Sequence, residues 1–343
     1  MGNNYSSEKG TSSFQCPVFG GKGHLAVISL IRFLAMLSII ACHFCQYFES
    51  EWALWLNIGV QLFFIISGFL YGNQTISEPI PWLKRRFVKI LVPYYLFLTV
   101  AVVGYLIVAP DVIPWKTVVT TYLVVGTIGG IGHLWFVSYI LFCYLLTPYL
   151  ELIRNYIESK SLRGALVTLA IIIGAYSLIA VVTLAHFRPG MLFCYVLGYF
   201  TAVFTRRLGS EILLRCLTWS LLPTLLSNGL YIYLHYCKGL EMVGHLRHIV
   251  DFSHAFLGYS ILLGLLLLFK GVRMNGLLSF SDRYSYPIYV VHQLFILSPL
   301  TLMAVTGCVV VNIGLALVVI LVSGFALGRV DQKLAGVVQR MIG

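Results

Sequence analysis

Ten runs of roughly 20 mainly apolar residues succeed one another along this 343-residue chain. Each is long enough to cross the hydrocarbon core of a bilayer as a helix. They lie at about 25–48, 53–72, 87–109, 133–151, 163–185, 189–205, 213–235, 252–270, 285–303 and 305–327. The runs are continuous and lack the short alternation of barrel strands. The expected fold is therefore all-α, a polytopic transmembrane helical bundle of about ten spans. Composition agrees, with 59% hydrophobic and 10% charged residues, where a soluble chain carries about 25% charged ones. A water-soluble fold of this size has nowhere to hide that much apolar surface. A further apolar stretch, 117–131, is short and ends in Gly126, Gly129, Gly130 and Gly132. It reads as a re-entrant or interfacial segment.

Three units follow: a Gly/Ser/Asn-rich flexible tail at 1–23, a membrane domain at 24–328 and a short tail at 329–343. The net charge of +11 comes from small clusters between apolar runs, with no basic patch interleaved with aromatics. That distribution points to a lipid bilayer as partner and not to nucleic acid. With the N-terminus in the cytoplasm, eighteen of the 23 Lys and Arg fall on the inside, and only Lys116, Arg188, Lys238 and Arg247 outside. Arg32 lies within the first span. Both termini are accordingly expected in the cytoplasm. Most of the eight cysteines sit inside apolar runs as small hydrophobes, so no disulfide framework is expected.

Ionisable residues inside a span are costly and mark function. Arg32 and His43 share the first run, IRFLAMLSIIACHF. Eleven residues at 100° each bring them to within about 20° of one face, about 16 Å apart along the axis. The plainer reading has Arg32 snorkelling and His43 bonding a neighbour helix; their alignment favours a polar lane through the bundle. Cys42 and Cys45 have a CxxC spacing, but His43 would point away from both, so no metal site is expected. PWLKRRFVKILVPYY places Lys84, Arg85, Arg86 and Lys89 at the start of the third run. Positive-inside signalling accounts for such a cluster, as does a grip on a phosphate-bearing cytosolic ligand. GTIGGIGHLWFVSY brings His133 and Trp135 to the outer membrane level, where a Trp also belongs to the ordinary aromatic belt. His292, in YPIYVVHQLF, is a third histidine in or near a span. An imidazole suits general-base chemistry near neutral pH, here with a donor from the cytosol and a hydroxyl acceptor from outside.

These residues resemble the acyltransferase 3 family, multi-spanning membrane O-acyltransferases that mostly decorate bacterial surface polysaccharides. The likeness is carried in order by Arg32 with His43, NIGVQLFFIISGFL, KRRFVKILVPYY, GHLWFVSYILFCYLLTP and SYPIYVVHQLF. The resemblance implies an inner-membrane, multi-pass enzyme using acyl-CoA, usually acetyl-CoA, as donor and a cell-surface or lipid-linked glycan as acceptor. It implies His43 as the catalytic histidine with Arg32 as its partner, and Arg85, Arg86 and Lys89 facing the CoA phosphates. His133 and Trp135 would lie on the acceptor side, with His292 as a further substrate contact. The chain departs from the family at Ser29, where many members have Asp, and at Lys89, where Arg is common; an acidic residue many carry after His-Leu-Trp-Phe is replaced by the Ile140–Leu141 region. Two rival readings stand beside this one: a transporter or flippase, and a catalytically idle scaffold of a glycan-assembly complex.

Overall fold

The computed structural model describes residues 22–159, 164, 189–240 and 245–342. Among these the chain is helical throughout its regular structure, with no strand. Among the described residues, six helices are long and apolar enough to cross a membrane by length and composition: Ala26–Tyr47, Trp52–Gly72, Pro79–Val108, Gly132–Glu158, Arg247–Leu268 and Val309–Val338. The run expected at 163–185 lies outside the described residues, apart from Gly164, as does the tail up to residue 21.

The elements in order are α1 (Lys22–Tyr47), α2 (Trp52–Leu56), α3 (Ile58–Gly72), α4 (Pro79–Val108), α5 (Trp115–Tyr122), α6 (Trp135–Glu158), α7 (Pro189–Leu208), α8 (Glu211–Ile232), α9 (His245–Leu268), α10 (Gly276–Val291), α11 (Leu294–Leu297) and α12 (Val309–Ile342). Several boundaries differ from the apolar runs, three of them in ways that shape the bundle. The run at 285–303 is a helix that begins at Gly276, where Asn275 caps the Leu278 amide at 2.9 Å, and lapses at His292–Gln293 before the one turn of α11. The run at 305–327 becomes a helix continuing to Ile342, because Gln332, Lys333, Leu334, Ala335, Gln339, Arg340 and Met341 beyond Arg329 are good helix formers. The stretch 117–131 is the end of one short helix and a loop folded onto the bundle. Ile128 and Ile131 are buried there, and the Tyr105 hydroxyl donates to the Gly129 carbonyl at 2.6 Å.

Helix α1 packs between α3 and α10, and α3 packs in turn on α7 and α9. The α3–α7 contact is the tightest. A Cβ on Gly68 or Gly72 would overlap the carbonyl oxygens of Tyr195 or Tyr199, and one on Gly198 would overlap that of Ile65. Small residues four apart let two helix backbones touch, which matters in lipid, where no hydrophobic force pulls helices together. Gly68→Ala is expected to cost about 1–3 kcal/mol by overpacking, read as a lower unfolding midpoint of the purified protein. An unchanged midpoint would mean that the two helices separate freely.

At one end of the bundle, α6 holds a buried ion pair between Glu151 and Arg154. Arg154 also donates to the Gln74 carbonyl at 2.7 Å, and the Ile76 amide donates to Glu151 at 3.3 Å. The α3–α4 connection is thus tied to α6. This is the end at which Arg86 and Lys89 enter α4, and it frames the site.

Candidate active site

Helix α1 contains no acidic residue, so a counter-charge for Arg32 has to come from elsewhere. It comes from α10, where Asp282 forms an ion pair with the Arg32 guanidinium. The pair lies on a cavity of about 140 Å³ that Arg86, Lys89, Arg283 and Asp331 also line. Four cations against two carboxylates leave the cavity net positive. Arg86 is held by aromatic faces, its guanidinium 4.9 Å from the Tyr71 ring centre and 5.7 Å from that of Trp82. Its Nε is buried with no hydrogen-bond partner, as is Oδ1 of Asp331. Arg85 is exposed and is not among the residues lining this cavity.

Further along the same two helices, three imidazoles converge. The ring centre of His43 lies 4.9 Å from that of His292 and 6.3 Å from that of His133, and His133 and His292 are 4.8 Å apart. Since Arg32 meets Asp282 and His43 meets His292, α1 and α10 run parallel, with the ion pair at one level and the imidazoles about 16 Å further on. His43 is 8% exposed and His292 not at all.

The hydrogen bonds give the three rings different roles. Nδ1 of His43 lies 2.6 Å from Oε1 of Gln46, one turn on along α1. With that nitrogen donating, Nε2 keeps its lone pair. Both ring nitrogens of His133 face acceptor oxygens, Nδ1 2.6 Å from Oε1 of Gln293 and Nε2 2.9 Å from the Val290 carbonyl, and a neutral ring with its single N–H donates to one of them. Its backbone N–H also donates to Oε1 of Gln293 at 2.8 Å. His133 therefore acts as a tie between the start of α6 and the end of α10. His292 donates from Nδ1 to the Tyr289 carbonyl, which leaves its Nε2 buried and unpartnered.

The cavity includes Arg32 but stops short of the imidazoles. Its inner wall is Phe63, Phe136 and Tyr289. The Tyr289 ring centre is 5.3 Å from that of His133 and 5.5 Å from that of His292, and its hydroxyl donates to the His133 carbonyl at 2.8 Å. The Tyr289 ring thus borders both the cationic cavity and two of the three imidazoles. Trp135 is half-buried, edge-on to Tyr139 at 5.4 Å. Cys42 donates to the Ala53 carbonyl at 3.1 Å, which fixes α2 beside the end of α1.

The structure thus gathers Arg32, Arg86 and Lys89 at the cavity and His43, His133 and His292 beyond it, and leaves Arg85 outside. Sequence reasoning missed Asp282, Asp331, Arg283, Gln46, Gln293 and Tyr289. Two of these had a signal: Gln46 is one helical turn from His43, and Asp282 precedes His292 by ten residues, nearly the spacing of Arg32 and His43.

A cationic cavity thus lies beside an imidazole cluster, inside a bundle of membrane-length helices. A family model described as an acyltransferase domain, that of the acyltransferase 3 family, matches residues 25–328. The chain belongs to that family. No curated protein and no solved structure matches it.

Proposed function

We propose that this protein transfers an acyl group, acetyl by preference, from cytosolic acyl-CoA to a hydroxyl of a cell-surface or lipid-linked glycan. In this reading the chain spans the inner membrane about ten times with both termini in the cytosol, and the cavity opens to the cytosolic side. The observation that carries the proposal is that a net-positive cavity and a cluster of three imidazoles share the Tyr289 ring as a border, with Nδ1 of His43 held by Gln46.

The donor fits the residues present. CoA is a polyanion, and the cavity offers four cations together with a buried Arg86 N–H that has no acceptor. Guanidinium groups form the stronger, forked bonds to phosphate. Charges held by Arg32, Arg86 and Lys89 leave the pantetheine arm to run along α1 towards His43, about 16 Å away. For the thioester to arrive, the Tyr289 ring has to turn aside. Nε2 of His43, aligned by Gln46, then takes the proton of the acceptor hydroxyl as its oxygen attacks the thioester carbonyl. The C–S bond breaks, and the CoA sulfur leaves with the proton that His43 returns.

Purified protein in lipid nanodiscs, supplied with acetyl-CoA and a glycan acceptor, is expected to release CoA only when both are present. Glycan flux without CoA release would replace this reading with that of a transporter. Arg86→Ala is expected to raise the KM for acyl-CoA by roughly ten- to a hundred-fold, as loss of a charged hydrogen bond does, with a smaller effect from Arg85→Ala. Equal effects of the two substitutions would move the phosphate site away from the cavity.

A further inference from the structure

We infer that Asp282 is a positioning residue: its carboxylate aims the Arg32 guanidinium into the donor cavity. This rests on the reading of that cavity as the acyl-CoA site.

Arg32 stands among like charges. Arg86, Lys89 and Arg283 line the same cavity, and cations confined around so small a space repel one another. A long guanidinium side chain near the end of a span can relieve that repulsion by turning to the lipid interface. Nothing on α1 prevents this, since the helix carries no carboxylate. The restraint comes from 250 residues away, through the ion pair from α10.

The pair is not placed to stabilise the fold. Arg32 is 21% exposed and Asp282 47%, and ion pairs as open as this add little to stability. The buried Glu151–Arg154 pair is the contrasting case in the same chain, with Arg154 at 3%. An open carboxylate in a cavity meant for an anion also works against the ligand. Its presence is explained if what it contributes is direction: it fixes where one guanidinium points while leaving part of its fork for a phosphate. Asp331 is the other carboxylate on the cavity, but its Oδ1 is unpartnered, so it does not share this task.

The two effects of removing the charge have opposite signs, which makes the inference testable. If Asp282 only dilutes the positive field, Asp282→Asn will bind CoA more tightly. If it aims Arg32, the variant will bind more weakly despite the gain in net charge. The full-length protein is expected to show a KM for acyl-CoA raised about tenfold in Asp282→Asn, matching the loss of one charged hydrogen bond, with the KM for the acceptor and the unfolding midpoint unchanged. Asp282→Glu should restore most of the donor affinity, and Arg32→Gln with Asp282→Asn should be no worse than Arg32→Gln alone. Tighter CoA binding, an unaltered KM, or additive losses in the double variant would each overturn the inference. Absence of any acyl-CoA turnover or binding in the unmodified protein would instead overturn the functional reading beneath it.

Discussion

Replacing His43 with alanine is expected to lower the rate of acyl transfer by about 10²–10⁴-fold, the usual contribution of a positioned general base. Of the three clustered imidazoles, His133 has both nitrogens engaged and His292 is wholly enclosed. His43 alone combines a fixed Nδ1 contact with some access from outside. The loss should fall on kcat and leave the KM for acyl-CoA close to that of the unmodified protein, because the cations proposed to hold the donor line the cavity at the other level of α1. That pattern marks an interaction made only in the transition state. His43→Ala opens a small polar gap and leaves Gln46 facing solvent, so the fold should persist and the unfolding midpoint should show it. A folded variant with full transfer rate would remove His43 from the chemistry.

The residues that could be placed from sequence are those related by a single regular helix. Arg32 and His43 lie eleven apart, and the helical period alone puts them on one face. In the structure that face meets α10, with Arg32 at the cavity and His43 at the imidazoles. Nothing comparable relates His43 to His133 or His292, because the packing of α6 and α10 against α1 is not written in any local period. Asp282 looked like an ordinary polar residue at the edge of an apolar run, and only its partner distinguishes it. The lapse of the helix at His292–Gln293 was hidden for the opposite reason. Apolar residues flank it on both sides, and nothing local shows that Gln293 accepts from the His133 N–H across the bundle. Gly68 and Gly72 have the spacing of a close helix contact, yet Gly198, which completes it, belongs to a helix more than a hundred residues later.

The largest effect on stability is expected from Arg154→Ala. Arg154 is 3% exposed and Glu151 9%, and the arginine is the cation paired with that carboxylate inside α6. Removing it leaves a buried carboxyl group without its cation, and it also releases the Gln74 carbonyl to which Arg154 donates. Breaking a buried pair from one side costs about 3–5 kcal/mol, whereas exchanging both partners for apolar groups of similar size is often close to neutral. The double variant Glu151→Leu with Arg154→Met should therefore recover much of the lost stability. Recovery should be incomplete, since the Ile76 amide and Gln74 carbonyl would lack the partners that now hold the α3–α4 connection. Unfolding midpoints of the single and double variants in one detergent measure this directly. If the double variant is as unstable as Arg154→Ala, the arginine acts through its contact with Gln74 and not by neutralising Glu151. If Arg154→Ala itself is as stable as the unmodified chain, the pair is open to water and does not anchor the end of the bundle where the cationic cavity lies.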